Sequence, residues 1–195
     1  HKRNITHFGP TTLRATVAYG LIHLLDPKPG DIILDPLAGG GSIPIESSLA
    51  FPYSFNICSD IKKDAVFRSM KNIRDLCEKR EKALPIDVLK LNAERMMLRT
   101  ASVDAVVTDL PFGKRSGLRK NNKSLYHKVL QETGRVVRPD VGRAVFVTHD
   151  RRSFEIVFSD SSLFWKLKKQ FGINLGGLNA TVFHLLRTSN SWFKL

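Results

Sequence analysis

The stretch DIILDPLAGGGSIPIE, residues 31–46, is the clearest indication of the fold in this sequence. Its first five residues are mostly apolar and β-branched, as in a buried strand, and a run of helical character begins near Ser42. The glycines at 39, 40 and 41 let the backbone turn sharply and leave no Cβ in the way of a ligand. In an open α/β sheet this turn lies at the carboxyl ends of the strands, where ligands bind. The stretch therefore predicts a cofactor pocket, although glycines alone are equally consistent with a tight turn.

The strand-then-helix pattern repeats along the chain. Further strands are predicted at residues 54–60, 84–91, 103–110 and 142–150, and helices at 62–80, about 124–138 and 151–159. Such alternation is typical of a parallel sheet covered by helices on both faces. The last two strand-like runs, 165–178 and 179–188, have no helix between them and predict an antiparallel hairpin around Gly176-Gly177. We expect a Rossmann-like α/β fold with a seven-stranded, mostly parallel sheet, the arrangement of class I S-adenosylmethionine-dependent methyltransferases.

The segment before the first strand, residues 1–29, is predicted to pack on a catalytic domain that spans residues 30–195. A helix is predicted over Pro10–Leu25, because proline suits the first helical position and an apolar stripe runs from Leu13 to Leu24. The chain begins at His1 and not at methionine, so we expect a module excised from a longer protein.

The charge of the chain favours a polyanionic partner. Lys and Arg number 31 against 18 Asp and Glu, a formal net charge of +13. This excess favours nucleic acid, and the lack of a long basic amphipathic run disfavours a membrane surface. The two cysteines, Cys58 and Cys77, are too few for a disulfide framework and lack zinc-site spacing, so no metal site is predicted. We expect an intracellular protein, nuclear or cytoplasmic, with the nucleus slightly favoured.

Acidic residues near the glycines indicate what the pocket binds. Asp60 ends the second strand, where a carboxylate can accept both ribose hydroxyls of a nucleoside-type cofactor. A dinucleotide fingerprint is disfavoured, because the glycines begin four residues after Asp35 and Pro44 takes its third position. A sulfonium cofactor gains from nearby acids, and Asp35 could hydrogen-bond its amino-acid moiety. Asn92-Ala93, after the third strand, stands where a polar side chain would meet an adenine edge.

The stretch TDLPFG, residues 108–113, ends the fourth predicted strand and suits methylation of a planar exocyclic amine. The Asp109 carboxylate and the Leu110 carbonyl could accept its two N–H groups and so aim the nitrogen lone pair at a methyl donor. Pro111 would set the angle of that carbonyl, and Phe112 would offer a face for base stacking. Orientation and charge stabilisation then carry most of the reaction, without a strong base. The alternative is an Asp-Pro that only ends a strand, with Phe112 in the core.

A run of cations follows directly. Lys114, Arg115, Arg119, Lys120 and Lys123 fall within ten residues that contain no acid. Charge runs usually form a solvated face, but the position beside the base-holding stretch favours contacts with RNA phosphates. The histidines at 7, 23, 127, 149 and 184 have no ligand spacing and are predicted to be structural.

Three motifs together carry a family resemblance: HFGPTTLR (7–14), DPLAGGGSIPIE (35–46) and DLPFGKR (109–115). From about Lys2 to Thr188 the chain resembles the methyltransferase domain of the THUMP-domain RNA guanine-N2 methyltransferases. The resemblance implies S-adenosylmethionine as cofactor and methyl transfer to guanosine in tRNA or small nuclear RNA. It also implies cofactor contacts by Asp35, Gly39, Gly41 and Asp60, a base-holding role for residues 109–112, and a rim role for Phe8, Thr11 and Thr12. The chain departs from the family at Asn92, where relatives usually carry Asp.

The resemblance further implies a partner. Such enzymes resemble those that need a small zinc-binding methyltransferase activator subunit, which adds a strand to an exposed sheet edge and forms a heterodimer. The strand at 84–91 is the candidate, because the usual class I order leaves the third strand at that edge. No THUMP domain is predicted within residues 1–195, so we expect this fragment to lack the module that helps to choose RNA.

Two other functions stay open. The Asp-Pro-aromatic pattern also serves adenine, cytosine and glutamine amides, so it is consistent with a DNA or protein amine methyltransferase. The other alternative is a non-catalytic RNA-binding module with a vestigial cofactor pocket, against which the intact Asp60, Asp109 and glycines argue.

Overall fold

The computed structural model describes residues 4–9, 12–111 and 119–191, and for residues 119–121 it describes the backbone alone. Within these ranges the chain forms five helices and seven strands. In chain order they are α1 (Ala15–Leu25), β1 (Ile32–Asp35), α2 (Ser42–Ala50), β2 (Phe55–Asp60), α3 (Lys63–Arg80), β3 (Ile86–Lys90), β4 (Ala105–Asp109), α4 (Arg119–Val136), β5 (Arg143–Thr148), α5 (Arg151–Asp160), β6 (Trp165–Leu175) and β7 (Leu178–Arg187). None of the helices in the described part of the chain has the length and apolar character needed to cross a membrane.

The seven strands form one sheet in the order β3-β2-β1-β4-β5-β7-β6. Strands β1 to β5 pair in parallel, whereas β7 runs antiparallel to both β5 and β6. The predicted seven-stranded, mostly parallel sheet with its C-terminal hairpin is therefore confirmed. The strand order reverses between β1 and β4, which leaves a crevice at the carboxyl edge of the sheet. The glycine loop and the Asp109 stretch follow the two strands that border this crevice.

Apolar side chains alternate along the strands and fill both faces of the sheet. On β4, Val106 packs with helices α4 and α5, while Ala105 and Val107 face α1. Tyr126 of α4 and Phe154 of α5 are fully buried in the first of these layers. Full burial of a large apolar side chain contributes about 1.5–3 kcal/mol. This layer therefore holds α4 firmly beside the end of β4.

Helix α1 begins later than the sequence predicts. The prediction placed its first residue at Pro10, which lies outside the described residues, whereas the observed helix begins at Ala15. The Thr12 hydroxyl donates to the Gly9 carbonyl at 3.2 Å and accepts from the Gly9 amide at 3.0 Å. Such local bonding by a threonine side chain competes with helix formation. The chain near Thr12 therefore stays non-helical and borders the crevice.

Two other helices also differ from their predicted form. Helix α4 begins at Arg119, five residues before the predicted start near Ser124. The helical spacing of Val66, Met70, Ile73 and Leu76 predicts an apolar face on α3, but the Met70 side chain is 49% exposed. The side chains that α3 buries instead include Ser69 and Asn72. Polar residues at buried helical positions need hydrogen-bond partners, and both find them in the glycine loop.

Candidate active site

A cavity of about 430 Å³ opens at the carboxyl ends of β1, β2, β3 and β4. This volume lies within the range of small-molecule sites, roughly 300–1,000 Å³. The cavity is lined by the cofactor residues predicted from the sequence, except Gly41, and by three of the four predicted base-holding residues: Asp35, Gly39, Asp60, Asn92, Ala93, Asp109, Leu110 and Pro111. The structure thus brings both predicted groups into one cavity. Phe112 lies outside the described residues.

The backbone conformation of the glycine loop requires glycine at two of its three positions. Gly39 and Gly41 have φ angles of 59° and 82°, in the left-handed region that other residues rarely adopt. A Cβ on Gly40 would lie 3.5 Å from the His7 carbonyl oxygen, which is an ordinary van der Waals distance, so the space at Gly40 does not itself require glycine. Gly41 does not line the cavity but precedes the first residue of α2, and its carbonyl accepts from the Ile45 amide. Its role in this structure is to direct the chain from the loop into the helix.

Asp60 supports the loop from the end of β2. One carboxylate oxygen accepts from the Gly39 amide at 3.1 Å, and the other accepts from the Lys62 amide at 2.9 Å. An ionised carboxylate offers about four acceptor sites, so two bonds leave room for the hydroxyls of a ribose. Asp60 can therefore shape the loop and bind a ligand at the same time.

Asp35 is a buried carboxylate, only 2% exposed. Its Oδ1 accepts from the Thr108 hydroxyl at 2.6 Å and from the Leu37 amide at 3.1 Å. Burial raises the pKa of Asp35 to about 7, and the neighbouring carboxylates of Asp109 and Asp60 add to the increase. A ligand cation nearby would favour the ionised form of this group.

Asp109 is the last residue of β4 and presents an unusual acceptor. Its Oδ1 is buried and has no hydrogen-bond partner among the residues that the structure describes. Burial raises the pKa of Asp109 to about 7. The next amide, that of Leu110, donates to the Val147 carbonyl at 2.9 Å and extends the β4–β5 pairing beyond the strand. Because buried polar atoms are nearly always hydrogen-bonded, the open Oδ1 indicates a place for a donor on a ligand.

The turn after β3 supplies the remaining predicted cofactor contacts. The Asn92 side-chain oxygen accepts from the Glu94 amide at 2.9 Å. This bond uses only the oxygen of the side chain, so the Nδ2 donors of Asn92 can still meet an acceptor on a ligand. Ala93 is 3% exposed and packs in the core beneath the cavity.

Asn72 connects the N-terminal segment to the glycine loop. Its Oδ1 accepts from the amides of Thr6 and His7 at 3.0 and 2.8 Å. Its Nδ2 donates to the carbonyls of His7 and Gly40 at 3.0 and 2.9 Å. All the hydrogen-bonding capacity of this buried amide is used to fix the two segments against each other. The next residue of the segment, Phe8, is 50% exposed.

The remaining residues that the sequence assigns to RNA are only partly described. Thr12 lines the cavity, whereas Thr11, Lys114 and Arg115 lie outside the described residues. Arg119 and Lys120 begin α4, and their side chains are not described. Lys123, one turn further along, is exposed.

Two histidines in the described ranges make contacts that hold the fold together. No group of three or more His, Cys, Asp or Glu side chains there is arranged to hold a metal ion. His7 lies 2.9 Å from Asp75 of α3, and His149 lies 2.8 Å from the Asn179 carbonyl oxygen. Both contacts tie chain segments together.

Residues 3–181 match the model of a protein family described as RMKL-like, methyltransferase domain. The chain belongs to this family. Within this methyltransferase domain, the glycine loop, the Asp60 carboxylate and the Asp109 stretch all lie inside the matched range. The matched range ends inside β7, so it contains six of the seven strands completely.

Two curated relatives of this methyltransferase domain are RNA methyltransferases. The chain is 44% identical, over 98% of its length, to the tRNA (guanine(6)-N(2))-methyltransferase THUMP3 of Mus musculus. It is 32% identical, over 65% of its length, to the U6 snRNA (guanine-N(2))-methyltransferase THUMPD2 of Bos taurus. The motifs predicted the greatest similarity to THUMP domain-containing protein 2, but the identity with THUMP3 is higher and covers more of the chain. The predicted family resemblance is confirmed, and the chain spans 39% of the length of THUMP3 and 24% of THUMPD2.

The fold of this methyltransferase domain is also found in a solved structure. TrmN from Thermus thermophilus superposes with a TM-score of 0.77 at 22% identity, over 91% of this chain and 50% of that chain.

Sequence reasoning missed several residues of this methyltransferase domain. Thr108 binds Asp35, Asn72 binds the loop, and Arg68 lines the cavity beside Gly9, where a Cβ would lie 3.5 Å from its Nη2. The Arg68 Nε is buried without a partner among the described residues. The signal for Asn72 was a polar residue three positions after another, Ser69, on what would otherwise be an apolar helix face. Nothing in the local pattern marked Arg68.

Proposed function

We propose that this domain transfers a methyl group from S-adenosylmethionine to the exocyclic N2 amine of guanosine in RNA. The observation that carries the proposal is the buried Oδ1 of Asp109, which has no partner within the described ranges and lies in the same cavity as Asp35, Asp60 and the glycine loop. An acceptor without a donor suits an amine that arrives with the substrate. The neighbouring Leu110 carbonyl would take the second N–H group of that amine.

The residues around the cavity fit the proposed cofactor. Asp60 has acceptor capacity for the ribose, Asn92 has donors for the adenine, and the Asp35 carboxylate suits the amino group of the methionine moiety. The glycine backbone admits the cofactor closely because no Cβ intervenes. When bound, S-adenosylmethionine supplies an electrophilic methyl group on a positively charged sulfur.

The chain's own residues account for the rest of the reaction. Asp109 and the Leu110 carbonyl hold the amine with its lone pair directed into the cavity, which replaces a bimolecular encounter by a positioned one. The amine becomes cationic when it is methylated, and the Asp109 carboxylate stabilises that charge. Because burial raises the pKa of Asp109 to about 7, this carboxylate can then accept the proton that the product amine releases.

RNA is the proposed substrate class for two reasons. The formal net charge of +13 suits a polyanion, and the two relatives are named for tRNA and U6 snRNA. The match to the tRNA enzyme is the stronger and longer one, so we favour tRNA. Such a protein would act inside the cell, in the nucleus or the cytoplasm.

The decisive experiment is methylation of total cellular RNA by the full-length protein with its activator subunit, followed by nucleoside mass spectrometry. We expect N2-methylguanosine as the new nucleoside. Formation of a methylated adenine or cytosine would contradict the guanine assignment. Absence of any methylated nucleoside, together with no cofactor binding in calorimetry, would favour a non-catalytic module.

The raised carboxylate pKa values predict the pH dependence of transfer. A carboxyl group with a pKa near 7 is protonated below that pH, and the proton turns an acceptor oxygen into a donor that opposes the amine. We therefore expect kcat/KM to fall as the pH is lowered from about 8 to about 6. Since the carboxyl groups of Asp35 and Asp109 interact, the inflection of kcat/KM against pH reports the titration of the pair and not of either residue alone. Activity that stays flat over this range would contradict the prediction, and Asp109→Asn should weaken the inflection because its amide does not titrate.

The cations after the Asp109 stretch are proposed to bind RNA phosphates. Replacing Lys114, Arg115, Arg119 and Lys120 by glutamine should weaken RNA binding and lower its salt dependence, by about 0.7–0.9 in the log–log slope for each phosphate that is no longer neutralised. The control replaces Lys79, Arg80 and Lys82, which are exposed at and just beyond the C-terminal end of α3. Fluorescence anisotropy at several salt concentrations measures the RNA affinity of both variants. An unchanged salt dependence in the variant of Lys114, Arg115, Arg119 and Lys120 would mean that these cations only form a solvated surface.

We propose that the small zinc-binding methyltransferase activator subunit pairs with strand β3. This strand ends the sheet order, and its pairing with β2 uses the Pro85 carbonyl and the Leu91 amide. Backbone groups alternate sides along a parallel strand, so the N–H groups of Val88 and Lys90 face the open edge, whereas the Ile86 N–H donates to the Leu84 carbonyl at 2.8 Å. A partner strand could bind to these groups.

Proline at Val88 tests this edge selectively. It removes an N–H that faces outward and leaves the hydrogen bonds to β2 intact, so we expect loss of co-purification with the activator while the domain stays folded. Val88→Thr keeps the N–H and the β-branched shape and should retain the partner. Retained association of Val88→Pro would refute pairing at β3. Circular dichroism checks that both variants fold.

A further inference from the structure

A chain of buried hydroxyl groups leads from β5 to the Asp109 stretch. The Tyr126 side chain of α4 is 0% exposed, and its hydroxyl donates to the Pro111 carbonyl at 2.6 Å. The same hydroxyl lies 2.9 Å from the Thr148 hydroxyl, which accepts from the Asp150 amide at 3.0 Å. These three bonds connect the last residue of β5 to the loop that follows β4.

The donor and the acceptor of each hydrogen bond in this series are determined. A carbonyl oxygen only accepts, so Tyr126 must donate its single proton to Pro111. The Tyr126 oxygen must then accept from Thr148, whose own oxygen takes the Asp150 amide proton. Burial raises the pKa of Tyr126 well above its usual range, which keeps the phenol protonated. The chain therefore has one arrangement of donors and acceptors, and each bond polarises the next.

The ring of Tyr126 is held as firmly as its hydroxyl. It packs against Phe154 with ring centroids 6.2 Å apart, and Phe154 stacks on Phe183 of β7 at 4.2 Å. Such a closely packed layer leaves little freedom for the phenol group to move.

The geometry explains why the loop needs this support. The Leu110–Pro111 peptide has no N–H, because proline lacks one, so its own amide cannot fix its orientation. It is held instead on both sides: the Leu110 amide binds Val147 at 2.9 Å, and the Pro111 carbonyl binds Tyr126. The Leu110 carbonyl, the second acceptor in the proposed reaction, belongs to the peptide between these two fixed points.

We propose that Tyr126 is a positioning residue for methyl transfer: its hydroxyl, oriented by Thr148, holds the Pro111 carbonyl so that the Asp109 carboxylate and the Leu110 carbonyl keep the angle that the amine needs. This proposal rests on the proposed function, since it assigns the orientation of that site. Tyr126 is not among the described residues that line the cavity, so it would act through the loop.

Tyr126→Phe tests the proposal in the full-length protein, because it removes the hydroxyl and keeps the ring. We expect the rate of N2-methylguanosine formation in total cellular RNA, at saturating S-adenosylmethionine, to fall about ten- to a hundredfold. The dissociation constant of S-adenosylmethionine in calorimetry should change by less than about twofold, since the cofactor contacts are untouched. Tyr19→Phe, on an exposed face of α1, is the matched control. A wild-type rate in Tyr126→Phe overturns the proposal.

Variants of Thr148 provide a second test of the positioning role. Thr148→Val removes the orienting hydroxyl and should slow transfer, whereas Thr148→Ser restores a hydroxyl and should rescue it. Combined with Tyr126→Phe, Thr148→Val should add little, because both act through one bond. Full additivity would overturn the positioning role. Where Tyr126→Phe fails to fold, equal rates for Thr148→Val and Thr148→Ser would overturn it.

Hydrogen exchange separates this proposal from the proposed function. In Tyr126→Phe the Leu110 amide should exchange about tenfold faster than in wild type, because the loop loses one of the two hydrogen bonds that hold it. This readout needs no RNA. If wild type makes no methylated nucleoside, the proposed function fails; if wild type is active and Tyr126→Phe changes neither exchange nor rate, only the positioning role fails.

Discussion

Asp109→Ala is expected to lower the rate of methyl transfer by about 10²–10³-fold, the loss typical of removing one group that stabilises developing charge. The alanine variant has no acceptor at the position where Oδ1 is buried without a partner in the described part of the chain. The amine would then be held by the Leu110 carbonyl alone, and its lone pair would no longer be directed at the methyl donor. Single-turnover transfer to RNA measures the effect.

Cofactor affinity separates this loss from simple unfolding. The carboxylates that support the proposed cofactor contacts, Asp35 and Asp60, keep their partners Thr108 and Gly39 in Asp109→Ala. Binding of S-adenosylmethionine should therefore stay close to that of wild type, and removal of a nearby negative charge should lower the pKa of Asp35. Asp109→Asn keeps one acceptor oxygen and should lose less activity than alanine. Turnover of Asp109→Ala at the wild-type rate would contradict the mechanism.

The sheet was predictable because its signals are local. The apolar run before Asp35, the glycines after it and the alternation that follows each specify an element within a few residues, and the topology of parallel sheets then fixes where their ends meet. This is why Asp35, Asp60 and Asp109 could be placed at one rim from the sequence. The C-terminal hairpin was equally predictable, because two adjacent glycines between strand-like runs favour a tight turn. In the structure Gly176 and Gly177 adopt the positive φ angles of 63° and 93°.

The supporting contacts were not predictable, because they join residues far apart in the chain. Thr108 binds Asp35 across 73 positions, and Asn72 binds His7 across 65. No periodicity records such a pairing, and a buried polar residue on a helix looks like a gap in the apolar stripe. The late start of α1 was missed for another reason: Pro10 favours a helix start, but the Thr12 hydroxyl binds the backbone of Gly9 instead.

Asp60→Asn is expected to weaken S-adenosylmethionine binding about ten- to a hundredfold. Hydrogen bonds to charged groups contribute about 1.5–3 kcal/mol, and 1.4 kcal/mol is a factor of ten in affinity. The asparagine keeps a single acceptor oxygen, so the Gly39 amide, the Lys62 amide and the ribose hydroxyls would compete for it. Its NH₂ group would also face an amide donor where the carboxylate offered an acceptor.

Two comparisons make the Asp60 prediction specific. Asp64→Asn, an exposed carboxylate in the first turn of α3, loses the same charge four residues away and should bind the cofactor like wild type. Asp60→Glu keeps the charge but lengthens the side chain, so its carboxylate cannot keep both backbone bonds and should also bind weakly. Equal losses in Asp60→Asn and Asp64→Asn would mean that net charge alone governs cofactor affinity. Loss of affinity confined to position 60 would instead mean that the Asp60 carboxylate has two roles. It orders the glycine loop through the bond from the Gly39 amide, and the same group accepts the ribose hydroxyls. The shape of the loop and the binding of the cofactor would then depend on one side chain.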